Sequence, residues 1–389
     1  MTEPAYSLKQ LIIYFLRLGT TGFGGPVALV GYMHRDLVEK KNWISEEEYK
    51  EGLALAQLAP GPLAAQLSIY IGFIRYRVLG ATLAGIAFVL PSFCMVVALG
   101  MLYQQFGGLA WMQAVFYGVS AAVVAIIIMS SYKLTTKSVG KLTVASIKEN
   151  WLLWVFYIVA VVVTIITQSE EILLFVTAGF LYMLVKAPPQ WIKKNKSLGT
   201  IFLGAIGFWQ FEWNTLAKIA WFFTKAGAFV FGSGLAIVPF LHSGVVVENH
   251  WLTEQQFLDA VAVAMITPGP VVITVGFIGY LVAGFPGATV AALATFLPCY
   301  LFTIIPAPYF KQIAKNLSIK AFVEGITAAV IGALVGAAIL IGIRSIRDIP
   351  ALLIAVAALL VLIYIKKLPE PYLIFIAALI GLLIKNLAY

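Results

Sequence analysis

The sequence predicts an all-α polytopic membrane protein made of two inverted-topology repeats with broken or re-entrant helices. Three observations lead to this class: an apolar composition, an internal repeat, and two Pro-Gly-Pro triplets inside apolar runs. Of the 389 residues, 61% are hydrophobic and 11% are charged, and the mean hydropathy is +0.96. Soluble proteins carry about 25% charged residues. A large soluble enzyme with a few membrane anchors is excluded, because no long polar stretch exists to build it.

The charged residues indicate the surroundings and partners. The net charge of +9 comes from 26 basic and 17 acidic side chains. Most basic residues lie in short loops, as the positive-inside rule requires, so the lipid bilayer is the expected environment and no nucleic acid is expected. Cys94 and Cys299 lie in apolar runs and are interpreted as packing residues, and no metal or cofactor is predicted. We expect a multi-pass protein of the plasma membrane, and a homodimer is left open.

Thirteen apolar segments could cross a bilayer, so about 10–13 membrane segments are expected. They cover about 9–31, 53–74, 79–103, 112–130, 151–167, 170–186, 198–211, 217–241, 258–281, 287–309, 321–343, 350–365 and 371–388. Those that begin at 9 and 217 contain glycine clusters and either span or re-enter. We assign an N-terminal repeat to 1–196, a weak linking segment to 197–216 and a C-terminal repeat to 217–389.

The two halves align at an offset of 208 residues. Trp43-Ile44-Ser45-Glu46 then falls on Trp251-Leu252-Thr253-Glu254, and the first triplet, Pro60-Gly61-Pro62, falls on the second triplet, Pro268-Gly269-Pro270. One residue is then lost, and the register continues at an offset of 207. A register held over about 75 residues indicates a gene duplication.

Loop charges orient the halves. The loop with Arg75 and Arg77 is basic and therefore cytoplasmic, whereas its counterpart, 282–286, has no charge. This reversal favours an inverted topology, in which the segment 198–211 supplies the extra crossing. The loop 344–348 argues against it, because it would lie outside although it is basic.

Each triplet breaks a helix inside the membrane, since proline removes a backbone donor and clashes with the preceding turn. Such a break is tolerated where it is buried in protein or lines a cavity. Capping boxes at Ser45-x-x-Glu48 and Thr253-x-x-Gln256 begin helices near the membrane surface. About 15 residues at 1.5 Å each carry those helices about 20 Å inward, so the breaks lie at mid-depth. The positive ends of the following half-helices predict an anion site made of backbone, and the alternative is a kink that only shapes packing.

Arg17 and Lys225 occupy matched positions in otherwise uncharged segments. A cation within lipid costs several kcal/mol and tends to mark function. Two such cations suit a divalent oxyanion, and the alternative is that both side chains reach the headgroups.

Other residues could support an anion site. The glycine-rich stretches at 23–26 and 231–234 could form nests of N–H groups, or could serve close helix packing. Glu51 and Asp259 are matched acids that either couple protons or complement helix dipoles. His34 and His242 are treated as unmatched and receive no role. The candidate substrate-binding residues are Arg17, Lys225, Phe23, Gly24, Gly25, Phe231, Gly232, Ser233, Gly234, Gln57, Pro60, Gly61, Pro62, Thr267, Pro268, Gly269 and Pro270.

The motifs Phe23-Gly24-Gly25-Pro26, Gln57-x-x-Pro60-Gly61-Pro62, Thr267-Pro268-Gly269-Pro270 and Phe296-Leu297-Pro298 carry a resemblance. With them the chain resembles the chromate ion transporter family in its long two-domain form. The resemblance covers most of both halves and is weak over about 130–215 and beyond 345. It implies export of chromate driven by the proton gradient, chromate resistance, and sulfate as a mimic.

The residues themselves argue only for an oxyanion site. A carrier or channel for another anion, such as sulfate or a carboxylate, therefore stays open. An intramembrane enzyme would need a nucleophile–base pair or a metal cluster in the apolar segments, and neither is visible, so no enzyme is predicted. The sequence has no P-loop motif, which argues against pumping by ATP hydrolysis in this chain alone.

Overall fold

The structure, a computed structural model, describes residues 6–23, 25–169, 171–189, 214–230, 234, 237–310, 316–346, 348–365 and 370–387. These ranges contain helices and no strand, which confirms the all-α prediction. The predicted segment 198–211 lies outside them.

The helices of the first half are α1 (Leu8–Thr21), α2 (Gly25–Met33, continued by a π-helix, His34–Lys40), α3 (Glu46–Leu58), α4 (Leu63–Phe106), α5 (Ala110–Ser138), α6 (Val144–Glu149), α7 (Trp151–Thr167) and α8 (Ile172–Lys186). Those of the second half are α9 (Thr215–Ala228), α10 (Ile237–His242, continued by a π-helix, Ser243–Glu248), α11 (Glu254–Ile266), α12 (a 3₁₀ turn, Val271–Ile273, then Thr274–Ile304), α13 (Leu317–Ser345), α14 (Ile349–Tyr364) and α15 (Glu370–Leu387). A 3₁₀ turn, Ala307–Tyr309, follows α12.

Four of the described helical stretches are long and apolar enough to cross a membrane: Leu63–Phe106, Ala110–Ser138, Val271–Tyr309 and Leu317–Ser345. Three shorter apolar helices, α7, α8 and α14, accompany them. The chain is therefore a multi-pass membrane protein. Fewer long helices are found than the 10–13 predicted segments, partly because α4 and α12 each join the end of one predicted segment to the next.

The helices α4 and α12 are each folded back on themselves by a two-residue turn. The backbone leaves helical geometry at Tyr76–Arg77 and at Ala283–Gly284, and these positions match at the offset of 207. A side chain placed on Gly72 would overlap the carbonyl of Gly80. Residues eight apart in a straight helix are about 12 Å apart, so this contact requires two antiparallel arms. We call residues 63–75 the inner arm of α4 and residues 78–106 its outer arm.

The helix α3 and the inner arm of α4 form a re-entrant hairpin with the first triplet at its tip. Arg75 lies 3.0 Å from Glu48, although 27 residues separate them in the sequence. A side chain on Gly52 would overlap the ring of Tyr70. Both contacts require the chain to reverse at the triplet and to leave on the side where it entered. The candidate segment 53–74 is therefore not one continuous helix, and the predicted helix break at the first triplet is present.

Backbone geometry repeats between the halves as the sequence does. Asn42 and His250, which differ by 208, both have φ of 50°. Both capping boxes are formed, from Ser45 and from Thr253. A π-helix precedes each box. The duplication inferred from residue identities thus extends to local conformations that few sequences adopt.

The treatment of His34 and His242 as unmatched is wrong, because the two positions differ by the repeat offset of 208. His34 Nε2 lies 2.8 Å from a carboxylate oxygen of Glu46, and His242 Nε2 lies 2.7 Å from one of Glu254. These acids also differ by 208. Each histidine, at the junction of an α-helix with the π-helix that continues it, therefore ties that junction to the N-terminus of the helix that enters the hairpin.

Contacts along the outer arm of α4 relate the two halves in space. Thr82 is hydrogen-bonded to Tyr300 (2.7 Å), Ser92 donates to the carbonyl of Pro268 (2.8 Å), and a side chain on Gly100 would meet the ring of Tyr280 at 2.9 Å. Positions on the outer arm that lie farther from the turn at Tyr76–Arg77 thus have neighbours that lie closer to the turn at Ala283–Gly284. The two turns lie at opposite ends of the outer arm.

The membrane orientation of the two turns stays a prediction, which labelling tests. We expect Val78→Cys and Phe285→Cys, matched exposed positions beside the turns, to react from opposite faces in a Cys94→Ser background. A membrane-impermeant maleimide should label one in intact cells and the other only in everted vesicles. Labelling of both from one face would refute the inverted topology. Transport by each cysteine variant controls for misfolding.

The long helices α5 and α13 exchange partners between the halves. The helix α5 packs on α14 and α15 of the second half, and α13 packs on α7 and α8 of the first half. Small residues permit the closest approaches, for example Gly118 against Ala377 and Gly332 against Tyr157. The repeats are consequently intertwined.

Candidate anion site

The tip of each re-entrant hairpin is hydrogen-bonded to the other half. The N–H of Gly61 donates to the carbonyl of Val230 (2.5 Å), and the N–H of Gly269 donates to the carbonyl of Gly22 (2.9 Å). Donors and acceptors both differ by 208, so the two bonds are equivalent under the repeat. Reciprocal contacts of this kind are those that a two-fold axis generates. Each triplet therefore meets the non-helical stretch that follows the first helix of the opposite half.

Glycine is required at both tips by backbone conformation and by space. Gly61 has φ of 142° and Gly269 has φ of 100°, a region that L side chains rarely adopt. A Cβ on Gly61 would lie 3.0 Å from Cys299 Sγ, and one on Gly269 would overlap Ser92 Oγ. Ser92 and Cys299 match at the offset of 207. The sequence alone did not identify these two neighbours of the tips. Each follows a Leu-Pro pair, Leu90-Pro91 or Leu297-Pro298, and the match of these pairs at the offset of 207 could have indicated them.

Backbone donors remain in the first turn of each half-helix that leaves a tip. The N-cap residues are Pro62 and Pro270, which have no side-chain oxygen to accept from the first-turn N–H groups. Helices α3 and α11, by contrast, are capped by Ser45 and Thr253. Uncapped helix N-termini favour negative charge. The glycine N–H groups themselves bond between the halves, whereas the N–H groups at 63–65 and 271–272 have no hydrogen-bond partner among the described residues. These are the donors that the candidate site offers to an anion.

The other predicted tip residues differ in their surroundings. Thr267 and the second triplet are buried, whereas Gln57 is exposed on α3. Thr267 donates to the carbonyl of Val263 (2.5 Å), which occupies its hydroxyl proton. Gln66, buried beside the first triplet, donates to the carbonyl of Pro60 (2.8 Å). Its Oε1 is buried without a hydrogen-bond partner among the described residues.

The two predicted cations lie in separate environments. Arg17 is an exposed residue that lines a cleft with Thr21 and Gly22, and no ion pair joins it to a carboxylate of the described residues. Lys225 is half-buried on α9, with Nζ 5.7 Å from the centre of the Trp221 ring. Lys225 is not among the residues that line the Arg17 cleft. The structure therefore does not bring the two cations into one pocket.

The glycine-rich stretches are described only in part. Phe23 is exposed, Gly25 begins α2 with φ of 72°, and Gly234 is buried near Val271 and Val272. The remaining predicted members of the two stretches lie outside the described residues: Gly24, Phe231, Gly232 and Ser233.

The matched acids differ in burial. Asp259 is 2% exposed and accepts hydrogen bonds from Tyr103 Oη (2.6 Å) and Gln255 Nε2 (2.8 Å). Gln255 Nε2 also donates to Ser120 Oγ (2.9 Å), which extends the buried network to α5. Glu51 is half-buried, and its Oε2 lies 3.5 Å from Tyr70 Oη. A buried carboxylate held by neutral donors is the less usual of the two arrangements.

Comparison with known proteins places this geometry in a family. The family model described as "Chromate transporter" matches residues 9–183 and 217–382. The chain is 62% identical over 385 residues to the chromate transport protein of Cupriavidus metallidurans. The alignment covers 98% of this chain and 94% of that protein. It is 59% identical over 387 residues to the probable chromate transport protein of Synechococcus elongatus, with 98% and 96% covered.

A more distant relative, the chromate transport protein of Pseudomonas aeruginosa, is 31% identical over 348 residues, which cover 86% of this chain and 80% of that protein. No solved structure matches the chain significantly. A family model that covers both halves, and relatives aligned over almost the full length, agree with the residues that carry the resemblance. The chain belongs to the chromate transporter family.

Proposed function

We propose that the chain is a secondary transporter of the plasma membrane that exports chromate, a divalent tetrahedral oxyanion, and confers chromate resistance. The observation that carries the proposal is the reciprocal pair of bonds from Gly61 to Val230 and from Gly269 to Gly22. These bonds join four interruptions of helical backbone in the interior of the molecule. Breaks of this kind are tolerated in membranes where they line a cavity, and anions bind at half-helix N-termini of this kind in transporters.

The proposed site takes charge from Arg17 and Lys225 and hydrogen bonds from the first turns of the inner arms. Both features favour an oxyanion over a cation or a neutral solute. Two separate cations suit alternating access, because each could face the anion when its own half opens. The inverted topology of the halves belongs to this proposal. The site is complete within one chain, so a homodimer is not needed for it, and no catalytic role is proposed.

We propose further that export is coupled to the proton gradient, with Asp259 as the residue that exchanges the proton. It is the better candidate of the matched acids, because it is almost fully buried and its partners are neutral. A carboxylate without a cationic partner in a buried position gains or loses a proton more readily than one in a salt bridge. Glu51, half-buried beside Tyr70, is the matched control.

Uptake into everted vesicles tests substrate and coupling together. We expect chromate to accumulate when a proton gradient is imposed, with competition from sulfate, and Asp259→Asn to lose the response to the gradient while Glu51→Gln retains it. Exchange of unlabelled for labelled chromate should survive in Asp259→Asn, which separates loss of coupling from misfolding. Accumulation in Asp259→Asn equal to that of the native chain would contradict this assignment.

A carrier or channel for another anion, such as sulfate, is the second candidate. The backbone donors and cations carry no feature that selects chromate over sulfate, because both anions are tetrahedral and divalent. Sulfate flux without chromate flux or protection from chromate would favour this alternative.

A further inference from the structure

A basic cleft opens beside α1 in the first half. It has a volume of about 600 Å³, and the end of α2 and the chain that leads to α3 complete its walls. Its lining includes four cations and one carboxylate, so the described residues around it carry a net charge of +3. The charged residues are Arg17, Arg35, Asp36, Lys40 and Lys41.

Aromatic rings hold two of these cations. Lys41 Nζ lies 4.1 Å from the centre of the Trp43 ring and 5.6 Å from that of Tyr14. The guanidinium of Arg35 lies 5.2 Å from the centre of the Tyr32 ring, and its Nε is 2.9 Å from Asp36. A ring face orients a cation without cancelling its formal charge. The cleft therefore keeps a positive potential that an anion meets.

The cleft is open to solvent and borders one junction between the halves. Arg35 and Lys40 lie at its mouth, with side chains 49% and 64% exposed. Its wall also contains Arg17, Thr21 and Gly22. The carbonyl of Gly22 is the acceptor for the N–H of Gly269, so the wall of the cleft is part of one junction between the halves.

The second half does not repeat the charge of this cleft. At the offset of 208, the positions of Arg35, Asp36, Lys40 and Lys41 are taken by Ser243, Gly244, Glu248 and Asn249. Only the cation on the first helix is kept, as Lys225. If the halves are inverted, the attraction for anions is confined to one mouth of the transporter.

We propose that this basic cleft, which belongs to the first half, binds the divalent oxyanion before the anion reaches the candidate site. This proposal rests on the proposed transport of an oxyanion and adds where the anion is first bound. A cleft of one charge sign raises the local concentration of its counter-ion and the rate of association. The charges supply no driving energy. They lower the concentration at which transport from that side is half-saturated.

The experiment compares the native chain with Arg35→Gln/Lys41→Gln by initial chromate uptake into everted vesicles at low and high potassium gluconate. We expect the KM to rise about tenfold in the double variant, about threefold for each charge, with kcat unchanged. We also expect the KM of the native chain to rise with salt more steeply than that of the variant, because salt screens the charges that the variant lacks.

Lys9→Gln is the matched control, because it removes one exposed charge from α1 outside the cleft and should leave KM unchanged. Arg35→Lys/Lys41→Arg should restore the native KM and its salt dependence. If the double variant folds poorly, Lys41→Gln alone carries the test with a threefold expectation. An unchanged KM and salt slope, with flux retained, overturns the capture site. Absence of chromate flux in the native chain instead contradicts the proposed function.

Discussion

Gly269→Ala is expected to lower the rate of transport at least tenfold below that of the native chain. The residue has φ of 100°, and forcing an L side chain into a left-handed backbone costs about 1–2 kcal/mol. The new Cβ would also overlap Ser92 Oγ, which donates to the carbonyl of Pro268. Loss of that buried hydrogen bond costs about 1 kcal/mol more. The tip would shift away from Gly22, and flux per folded molecule measures the effect.

Two variants separate the tip from general damage. Gly31→Ala is the matched control, because nothing lies within 4 Å of a Cβ at that glycine, and it should transport normally. Gly269→Ala/Ser92→Gly relieves the overlap and leaves the backbone strain, so partial recovery is expected. Replacement of the first triplet, Pro60-Gly61-Pro62, by three alanines should abolish transport by favouring continuous helix. Normal flux in the triple-alanine chain would show that the hairpin tip is not required for transport.

Arg17→Ala and Lys225→Ala should each lower transport by about 10- to 100-fold, because a hydrogen bond to a charged group contributes about 1.5–3 kcal/mol. Arg17 makes no ion pair with a carboxylate of the described residues, and Lys225 faces the ring of Trp221. A cation that makes no ion pair with a carboxylate of the described residues is available to the substrate. Chromate flux per folded molecule in proteoliposomes measures both variants.

Charge-conserving variants decide between binding and anchoring. Arg17→Lys and Lys225→Arg should keep a large part of the flux if charge is what the anion needs, with a remaining loss if the planar guanidinium matters. Lys9→Gln serves again as the control on α1. Native flux in both alanine variants, together with weaker membrane insertion, would show that the two side chains only reach the headgroups.

The repeat and the tips could be predicted because they depend on local chemistry. Capping boxes at Ser45 and Thr253 and the Pro-Gly-Pro triplets act within a few residues, so a sequence reveals them directly. The matched histidines could also have been predicted, since the offset of 208 alone pairs His34 with His242.

The course of the chain could not be predicted in the same way. Segment 53–74 has the length and hydropathy of one crossing, and only long-range contacts, such as that of Arg75 with Glu48, show that it reverses. The hydrogen bond from Gly61 to Val230 joins residues 169 apart in the sequence, and no local sequence pattern at either residue predicts it. Hydropathy records how apolar a segment is, whereas direction depends on long-range packing.

The exchange of α5 and α13 between the halves has a consequence for biosynthesis. Gly118 on α5 packs against Ala377 on α15, which the ribosome adds 259 residues later. At about 5–20 residues per second, α5 waits roughly 13–50 s for its partner. During that time the face of α5 that carries Gly118 lacks its native partner. The nascent first half is therefore inserted but incomplete, and proteolytic quality control has its longest opportunity before α15 leaves the ribosome.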